Sequence, residues 1–350
     1  MPNPRVTVLM AVYNSESYLR EAIESILNQS FRDFEFLIID DGSTDSSPGI
    51  LAAHAALDAR IVLNPNPTNM GHANSLNKGL DVARGEYVAR MDSDDISLSD
   101  RLLRQVALMD AHPNVGVCGT WLRYLGGSNS VWALPQDDTA IRCYLFFNSP
   151  IAHPTAMLRK SVIDKHHLRY QQAFDPTEDY ALWSEAAKYT SFANLPEVLF
   201  LYRVHNTQLT ATRRARMLAA TDKVRLQQVA RLGIEITDEI AEFHPQVIML
   251  GDAITKEFIT KADAWLQKLQ AANQQTKVFP EPAFSARLDL QWYFICRAAT
   301  QHGMFAWHTF WNSPLSKSAT LRTKDKLRFW MLCAAPWLRL LRRQAPQVAL

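Results

Sequence analysis

The chain has 350 residues, of which 47% are hydrophobic, and a formal net charge of +2. This length exceeds the roughly 250–300 residues at which a single core stops growing, so we expect two domains or one domain with an appendage. The small net charge indicates no nucleic-acid partner. The cysteines are too far apart in sequence for a zinc knuckle or a CxxC motif, which fits a reducing compartment.

Neither a signal peptide nor a transmembrane helix is predicted. Residues 1–12 lack the basic region and long apolar core of a signal peptide. The apolar run at residues 329–338 is shorter than the about 20 residues that a helix needs to span a bilayer. We therefore expect a cytoplasmic protein, either free or peripheral on the inner face of the membrane.

The first ninety residues alternate between apolar, β-branched runs and segments with helical spacing of apolar residues. This alternation predicts an α/β fold with a doubly wound, mostly parallel sheet, whose ligands bind beyond the carboxyl ends of the strands. The predicted strands are residues 6–12, 34–39, 60–63 and 85–91, and the predicted helices between them are residues 18–27, 47 onward and 74–83.

After the first ninety residues, the pattern of predicted strands and helices changes. Residues 98–100 predict a cap for a helix that runs to about Met109, residues 115–123 predict a strand, and almost everything after residue 213 has helical periodicity. We expect one domain over residues 1–210 and a mainly helical region over residues 211–350. The first carries 17 basic and 24 acidic side chains and the second 20 and 11, which indicates different roles.

Three carboxylates occur within four residues at a predicted strand end, in the run DSDD at residues 92–95. In an effective dielectric of ~20, two unit charges about 4 Å apart repel by about 4 kcal/mol, a cost that a bound cation removes. Oxygen ligands select hard Mg²⁺ or Mn²⁺, which can bridge the phosphates of a nucleotide. A solvated acidic turn that caps the next helix is an equal alternative on spacing alone.

Three further polar segments are candidates for a site. The run DDGSTD at residues 40–45 offers carboxylates to a base edge, or is a plain strand-to-helix loop. Glu178 and Asp179 begin a predicted helix, where a general base is one interpretation and helix capping the favoured alternative. His205 follows a strand-like run and is a candidate metal or phosphate ligand, with Arg203 a candidate phosphate partner.

Taken in order, these segments resemble the family 2 glycosyltransferases, an inverting group with the GT-A fold, over roughly residues 4–210. The DSD at residues 92–94 resembles the family's DxD motif, Glu178-Asp179 its ED motif, and residues 202–205 the segment that closes its site. Further segments that match in the family's order are residues 8–14, 25–31, 40–45, 69–71, 77–79 and 85–88.

The resemblance implies a role for each matched residue. Asp179, with Glu178 beside it, corresponds to the catalytic base, and Asp94, Asp95 and His205 to ligands of Mn²⁺ or Mg²⁺. Asp41 is expected to contact the nucleobase of the donor, and Asp92 is expected to contact the ribose or the metal. The nucleotide-binding residues implied by the resemblance are Ala11, Tyr13, Asn14, Asp40, Asp41, Asn77, Arg90, Asp92 and Ser93.

The resemblance also implies a hexosyltransferase with a nucleotide-sugar donor, foremost a UDP-sugar, and a saccharide or lipid-linked saccharide acceptor, in bacterial-type surface polysaccharide or glycoconjugate synthesis. The family's synthase branch carries a Q-x-x-R-W motif, and residues 226–231 lack its Trp, so transfer of a single sugar is favoured. Two alternatives stay open: a Mg²⁺-dependent phosphoryl-transfer domain with Asp40-Asp41 as phosphoacceptor, and a non-catalytic GT-A-fold binding module.

The C-terminal segment mixes basic and aromatic residues. Between Lys317 and Arg343 lie eight Lys or Arg and one acid, Asp325, interleaved with Trp and Leu. This pattern is typical of an interfacial helix on an anionic membrane surface, and Pro336 should kink or divide it. Packing on the catalytic domain or a homodimer contact is an equal alternative, because the sequence does not show which side is exposed.

Overall fold

The computed structural model describes residues 3–126, 128–205, 214–251, 254–317 and 321–336. The chain divides into two compact units, residues 1–224 and 225–350. The first contains a nine-stranded sheet, and the described part of the second is helical. The boundary expected at residue 210 stays a prediction.

The strands agree with the predicted α/β class. Val6–Val12 is buried at every position, as the apolar run indicated. The strands are β1 (Val6–Val12), β2 (Phe34–Asp40), β3 (Ile61–Leu63), β4 (Tyr87–Met91), β5 (Ile96–Ser97), β6 (Val115–Leu125), β7 (Val131–Trp132), β8 (Met157–Arg159) and β9 (Ser191–Arg203).

The sheet has the order β3-β2-β1-β4-β8-β6-β9-β5, with β7 paired to β6. Strands β1 to β4 pair in parallel, as predicted, and β6 pairs in parallel with β9. Strands β5, β7 and β8 are antiparallel to their neighbours. These three were not predicted, since two or three residues are too few to show a period.

Helices cover both faces of the sheet in the first unit. In α1 the buried residues Leu19, Ala22, Ile23 and Ile26 repeat at helical spacing, which places one apolar stripe on the sheet. Two separate apolar clusters on the two faces of β1 confirm the layered architecture. The helices of this unit are α1 (Leu19–Leu27), α2 (Ser47–Leu57), α3 (His72–Val82), α4 (Arg101–Ala111), α5 (Asp138–Tyr144), α6 (Lys160–Lys165) and α7 (Glu178–Ala186).

The predicted cap of α4 is wrong in detail. Asp100 occupies the N-cap position of α4, but its side chain makes no capping hydrogen bond. Its backbone is not extended there, with φ −98° and ψ 3°, and an extended N-cap backbone is the usual setting for such a bond.

Helix α8 (Arg214–Arg231) runs across the division between the units, and helices follow it through the described part of the second unit. Thr237 and Thr255 cap two of them, each accepting a hydrogen bond from the backbone N–H three residues on. Among the described residues, no helix combines the length and the apolar character needed to cross a bilayer. The remaining helices are α9 (Asp238–Met249), α10 (Lys256–Thr276), α11 (Ala283–Ala298), α12 (Met304–Asn312) and α13 (Thr323–Ala334).

Candidate functional site

The parallel strands β1, β2 and β4 lie side by side, so the polar segments that follow them meet at one edge of the sheet. Asn14, just after β1, accepts a hydrogen bond from the Thr44 N–H at 2.8 Å and donates its own N–H to Ser43 Oγ at 3.0 Å. Ser15 Oγ lies 2.8 Å from Ser93 Oγ in the segment after β4. The three predicted segments therefore form one continuous surface.

Asp41 is buried at this edge of the sheet and holds a neighbouring loop through hydrogen bonds. Its carboxylate accepts hydrogen bonds from Asn66 Nδ2 at 2.7 Å and from the backbone N–H groups of Met70 and Gly71 at 2.8 and 2.9 Å. The next residue, Gly42, has φ +72°, and an added Cβ there would lie 2.8 Å from the Thr68 backbone, so only glycine fits. The direct contact of Asp41 with a base stays a prediction.

The carboxylates of Asp92, Asp94 and Asp95 converge after β4, with ligand oxygens within 4.8 Å of one another. Burial, followed by the charge of Asp92, raises the pKa of Asp94 and raises that of Asp95 well above its usual range. Such a rise means that ionising all three carboxylates together is costly unless a cation compensates.

The long strand β9 explains how His205 reaches this cluster. Strand β5, directly after the carboxylates, pairs antiparallel with the end of β9, so Arg203 and His205 are carried beside Asp94 and Asp95. His205 Nε2 lies 2.9 Å from Asp94 Oδ2, and the Arg203 N–H donates to Asp95 Oδ1 at 2.8 Å. The guanidinium of Arg203 is ion-paired with Glu21.

These residues fit a hard divalent cation. The set offers carboxylate oxygens from three residues and one imidazole nitrogen, ligand types that Mn²⁺ and Mg²⁺ accept. Asp95 is fully buried, and its Oδ2 has no hydrogen-bond partner among the described residues. A buried carboxylate oxygen without a partner is costly, so a cation at this position would satisfy it.

Arg90, the fourth residue of β4, links the carboxylate cluster to a second group of side chains. Its guanidinium is 2% exposed and donates to Asp92 Oδ1 at 2.6 Å. The same guanidinium lies 2.7 Å from His72 Nε2 and 3.3 Å from His153 Nε2. Burial and then the charge of Arg90 lower the pKa of His72 to about 4 and that of His153 well below its usual range. Both imidazoles are therefore neutral acceptors of the Arg90 N–H groups at neutral pH.

The histidines were not identified from the sequence. His72 and His153 come together with Glu178, and one ligand atom of each lies within 4.8 Å of the others. His153 is placed there by the antiparallel pairing of β4 with β8, because the turn at His153–Thr155 directly precedes β8. That pairing has no sequence signal, since β8 has three residues.

Glu178 and Asp179 form the first turn of α7 and complete the site. Burial, followed by the charge of Asp179, raises the pKa of Glu178 to about 7. Burial raises the pKa of Asp179 to about 6, although hydrogen bonds from backbone N–H groups and from Ser149 Oγ, at 3.3 Å, favour its charged form. The carboxyl of Glu178 is almost fully buried, and its Oε2 has no hydrogen-bond partner among the described residues. Burial of this kind is more typical of a reactive acid pair than of a solvated helix cap.

Four other predicted site residues have varied surroundings. Tyr13 is 49% exposed at the edge of the site, and Ala11 is buried in β1. Asp40 accepts a hydrogen bond from the Ser43 N–H at 3.2 Å. Asn77, on α3, exchanges two hydrogen bonds with the backbone of Tyr170, at 2.8 and 2.9 Å. Their contacts with a nucleotide stay predictions.

The site is therefore one continuous row of charged and polar groups. It runs from His205 to Asp94, through Asp92 and Arg90, and on to the group that contains Glu178. A cation and a diphosphate can be held at the first end, while a carboxylate able to take a proton lies at the other.

Known proteins are similar to this chain in sequence. The family model described as "Glycosyl transferase family 2" matches residues 7–167. A relative from Haemophilus influenzae, described as an uncharacterized glycosyltransferase, is 32% identical over 248 residues, which is 67% of this chain and 77% of that protein.

Solved structures share the fold at low sequence identity. Residues 1–349 of TarS from S. aureus, in complex with UDP-GlcNAc, superpose with a TM-score of 0.54 at 16% identity and cover 99% of this chain and 94% of that one. The mannosyltransferase PcManGT from Pyrobaculum calidifontis, in complex with GDP-Man and Mn²⁺, gives a TM-score of 0.53 at 16% identity and covers 99% of this chain and 89% of that one.

Proposed function

Because this chain belongs to glycosyl transferase family 2 and is a glycosyltransferase, we propose that it moves a sugar from a nucleoside-diphosphate sugar to a hydroxyl of a saccharide or lipid-linked saccharide, with inversion. A UDP-sugar is the donor that we favour, and surface polysaccharide or glycoconjugate synthesis the setting. The observation that carries the proposal is the row of groups from His205 to Glu178, with Asp179 at its far end. Family membership disfavours the phosphoryl-transfer alternative, and the joint presence of Asp92, Asp94 and Asp179 disfavours a non-catalytic module.

The donor would lie across the carboxyl ends of β1, β2 and β4. Asp94, with Asp92, Asp95 and His205, would hold Mn²⁺ or Mg²⁺, which when bound neutralises the charge that develops on the departing diphosphate. Both solved neighbours are complexes with a nucleotide sugar, TarS with UDP-GlcNAc and PcManGT with GDP-Man and Mn²⁺. They support a nucleotide-sugar donor, and their ligands carry different nucleobases.

Asp179 would act as the general base. Its carboxylate takes the proton of the acceptor hydroxyl while the hydroxyl oxygen forms a bond to the anomeric carbon. The bond from that carbon to the phosphate oxygen breaks, and the nucleoside diphosphate leaves with the electron pair, through a transition state resembling an oxocarbenium ion. One displacement without an enzyme nucleophile gives inversion, so an α-linked donor gives a β-linked product.

A thermal-shift panel of UDP- and GDP-sugars tests the donor, because a ligand that binds only the folded state raises its melting temperature. We expect a shift with one or a few nucleotide sugars that grows when Mn²⁺ is added. An unchanged melting temperature with every nucleotide and nucleotide sugar, with and without Mn²⁺, would contradict the proposal.

A further inference from the structure

Helix α13 separates its side chains between a core and solvent. Phe329 and Cys333 are buried, and the ring of Phe329 packs 5.6 Å from that of Phe310 on α12. One side of α13 is thus packed on a neighbouring helix of the second unit, and packing of this segment on the catalytic domain stays a prediction. The helix ends at Ala334, two residues before Pro336.

The opposite side of α13 is apolar and basic. Leu327, Trp330 and Met331 are 57%, 46% and 41% exposed, although large apolar side chains are usually buried. Lys324 and Arg328 are also exposed, and at about 100° per residue these five side chains occupy one arc of the helix. We call the arc formed by Lys324, Leu327, Arg328, Trp330 and Met331 the basic–apolar face.

No acidic side chain interrupts this face. The one acid of the helix, Asp325, lies outside the arc and is ion-paired with Arg322 at 2.8 Å. Trp311, on α12, is 39% exposed, and Lys326 Nζ lies 5.6 Å from the centre of its ring. Helix α12 therefore contributes a second exposed Trp, and this ring lies beside a basic side chain of α13 that is outside the basic–apolar face.

We propose that the basic–apolar face binds the surface of an anionic lipid bilayer. Trp, Leu and Met can enter the boundary between headgroups and acyl chains while Lys324 and Arg328 remain among anionic headgroups. A second copy of the chain fits less well, because two identical basic faces would repel each other. The sequence after residue 336 has the same composition, with Trp337, Arg339, Arg342 and Arg343 among leucines. This surface would hold the chain beside acceptors that are themselves carried on lipid.

The test is co-sedimentation of the full chain with vesicles of phosphatidylcholine alone or mixed with phosphatidylserine, at low and high salt. Each basic residue near an anionic surface contributes about 1 kcal/mol, so Lys324→Glu with Arg328→Glu should weaken partitioning onto the mixed vesicles by roughly 30-fold or more. Trp330→Ser with Met331→Ser should weaken it about tenfold. The charge-matched control is Lys261→Glu with Lys268→Glu, two exposed lysines on α10, which should bind as the wild type does.

Binding to the mixed vesicles that high salt weakens, and that the two face variants lose, would support the proposal. Wild-type chain that stays in the supernatant, or that pellets equally with neutral vesicles, would overturn it. The same holds if the control variant loses as much binding as the charge-reversed face. A concentration-dependent dimer in analytical ultracentrifugation that Trp330→Ser with Met331→Ser abolishes would assign the face to self-association instead. Unchanged melting temperatures of all variants show that they fold.

Discussion

His205 Nε2 lies 2.9 Å from Asp94 Oδ2, although the two residues are 111 positions apart in the chain. The contact exists because β5 and β9 pair antiparallel, which carries the residues after β9 to the carboxylates after β4. An imidazole nitrogen and a carboxylate oxygen this close are two ligands suited to one divalent cation.

We expect Asp94→Ala to lose the part of nucleotide binding that depends on Mn²⁺. The substitution removes the carboxylate that lies beside His205 and that we propose as a ligand of the cation. It does not change the backbone of the loop. The measurement is calorimetric titration of UDP and GDP with and without Mn²⁺. Asp100→Ala is the matched control, since Asp100 is an exposed acid nearby that makes no capping bond. If Asp94→Ala bound nucleotide as tightly as the wild type in Mn²⁺, its role as a metal ligand would be wrong.

We expect Asp179→Asn to lower turnover by roughly 10²–10⁴-fold with little change in donor affinity, because the amide cannot take a proton. Steady-state kinetics and a separate donor titration distinguish the two effects. Ser149→Ala, which removes only a hydroxyl 3.3 Å from the carboxylate, should lower turnover much less. An equal loss of donor affinity in Asp179→Asn would indicate a structural role in the start of α7.

The activity should also rise with pH through the pKa of the base. Burial raises the pKa of Asp179 to about 6, and the base works only when ionised, so kcat/KM should increase through pH 6 and level off above it. Ser149 donates a hydrogen bond that favours the charged form, so Ser149→Ala should move this acidic limb to higher pH. If kcat/KM rose over the same pH range in the wild type and in Ser149→Ala, the group that titrates would not be Asp179.

We expect His72 to stabilise the fold by accepting a hydrogen bond from buried Arg90. His72→Leu leaves a buried N–H of Arg90 without its acceptor and should lower the free energy of unfolding by about 1–3 kcal/mol. His72→Gln keeps an acceptor oxygen and should lose less. Urea denaturation of both variants measures the difference, and equal losses would show that the imidazole matters only through packing.

Asp41→Ala should both weaken nucleotide binding and destabilise the protein. Asn66 Nδ2 and the backbone N–H groups of Met70 and Gly71 each lose a hydrogen bond, although Asn66 Nδ2 still donates to Ser75 and the Gly71 N–H to Asn69. An unsatisfied buried donor costs about 1–3 kcal/mol, and the buried amide of Asn66 should account for most of the loss. The loop that these residues belong to borders the site, so its disorder should lower affinity for UDP or GDP. An unchanged dissociation constant together with lower stability would limit Asp41 to holding the loop.

The parallel strands in the first half of the fold could be predicted from the sequence. Strands β1, β2 and β4 are buried and have five to seven residues each, so their apolar runs predicted both the parallel pairing and the edge of the sheet at which the segments of Asp41 and Asp92 lie. The cluster of His72, His153 and Arg90 could not be predicted in the same way. It depends on the antiparallel strand β8, whose three residues carry no periodicity, and on burial that no local pattern reveals.

The C-terminal segment shows a second limit of what can be predicted from the sequence. Its composition was compatible with a membrane surface and with a packed helix, and in the structure one side of α13 is buried while the other is exposed, apolar and basic. Which residues belong to each side follows from the packing of Phe329 against α12, a contact between segments that are separate in sequence. The basic residues beyond Pro336 lie outside the described residues, so their expected role stays a prediction.

Inverting transfer with Asp179 as the general base is the reaction that we propose for this chain. The most direct test is to incubate the chain with Mn²⁺, the α-linked donor identified by thermal shift and a panel of saccharide acceptors, and to determine the new linkage by NMR. We expect a β-linked product that the wild type forms and that is almost lost with Asp179→Asn. An α-linked product, or a product formed by Asp179→Asn at the wild-type rate, would contradict it.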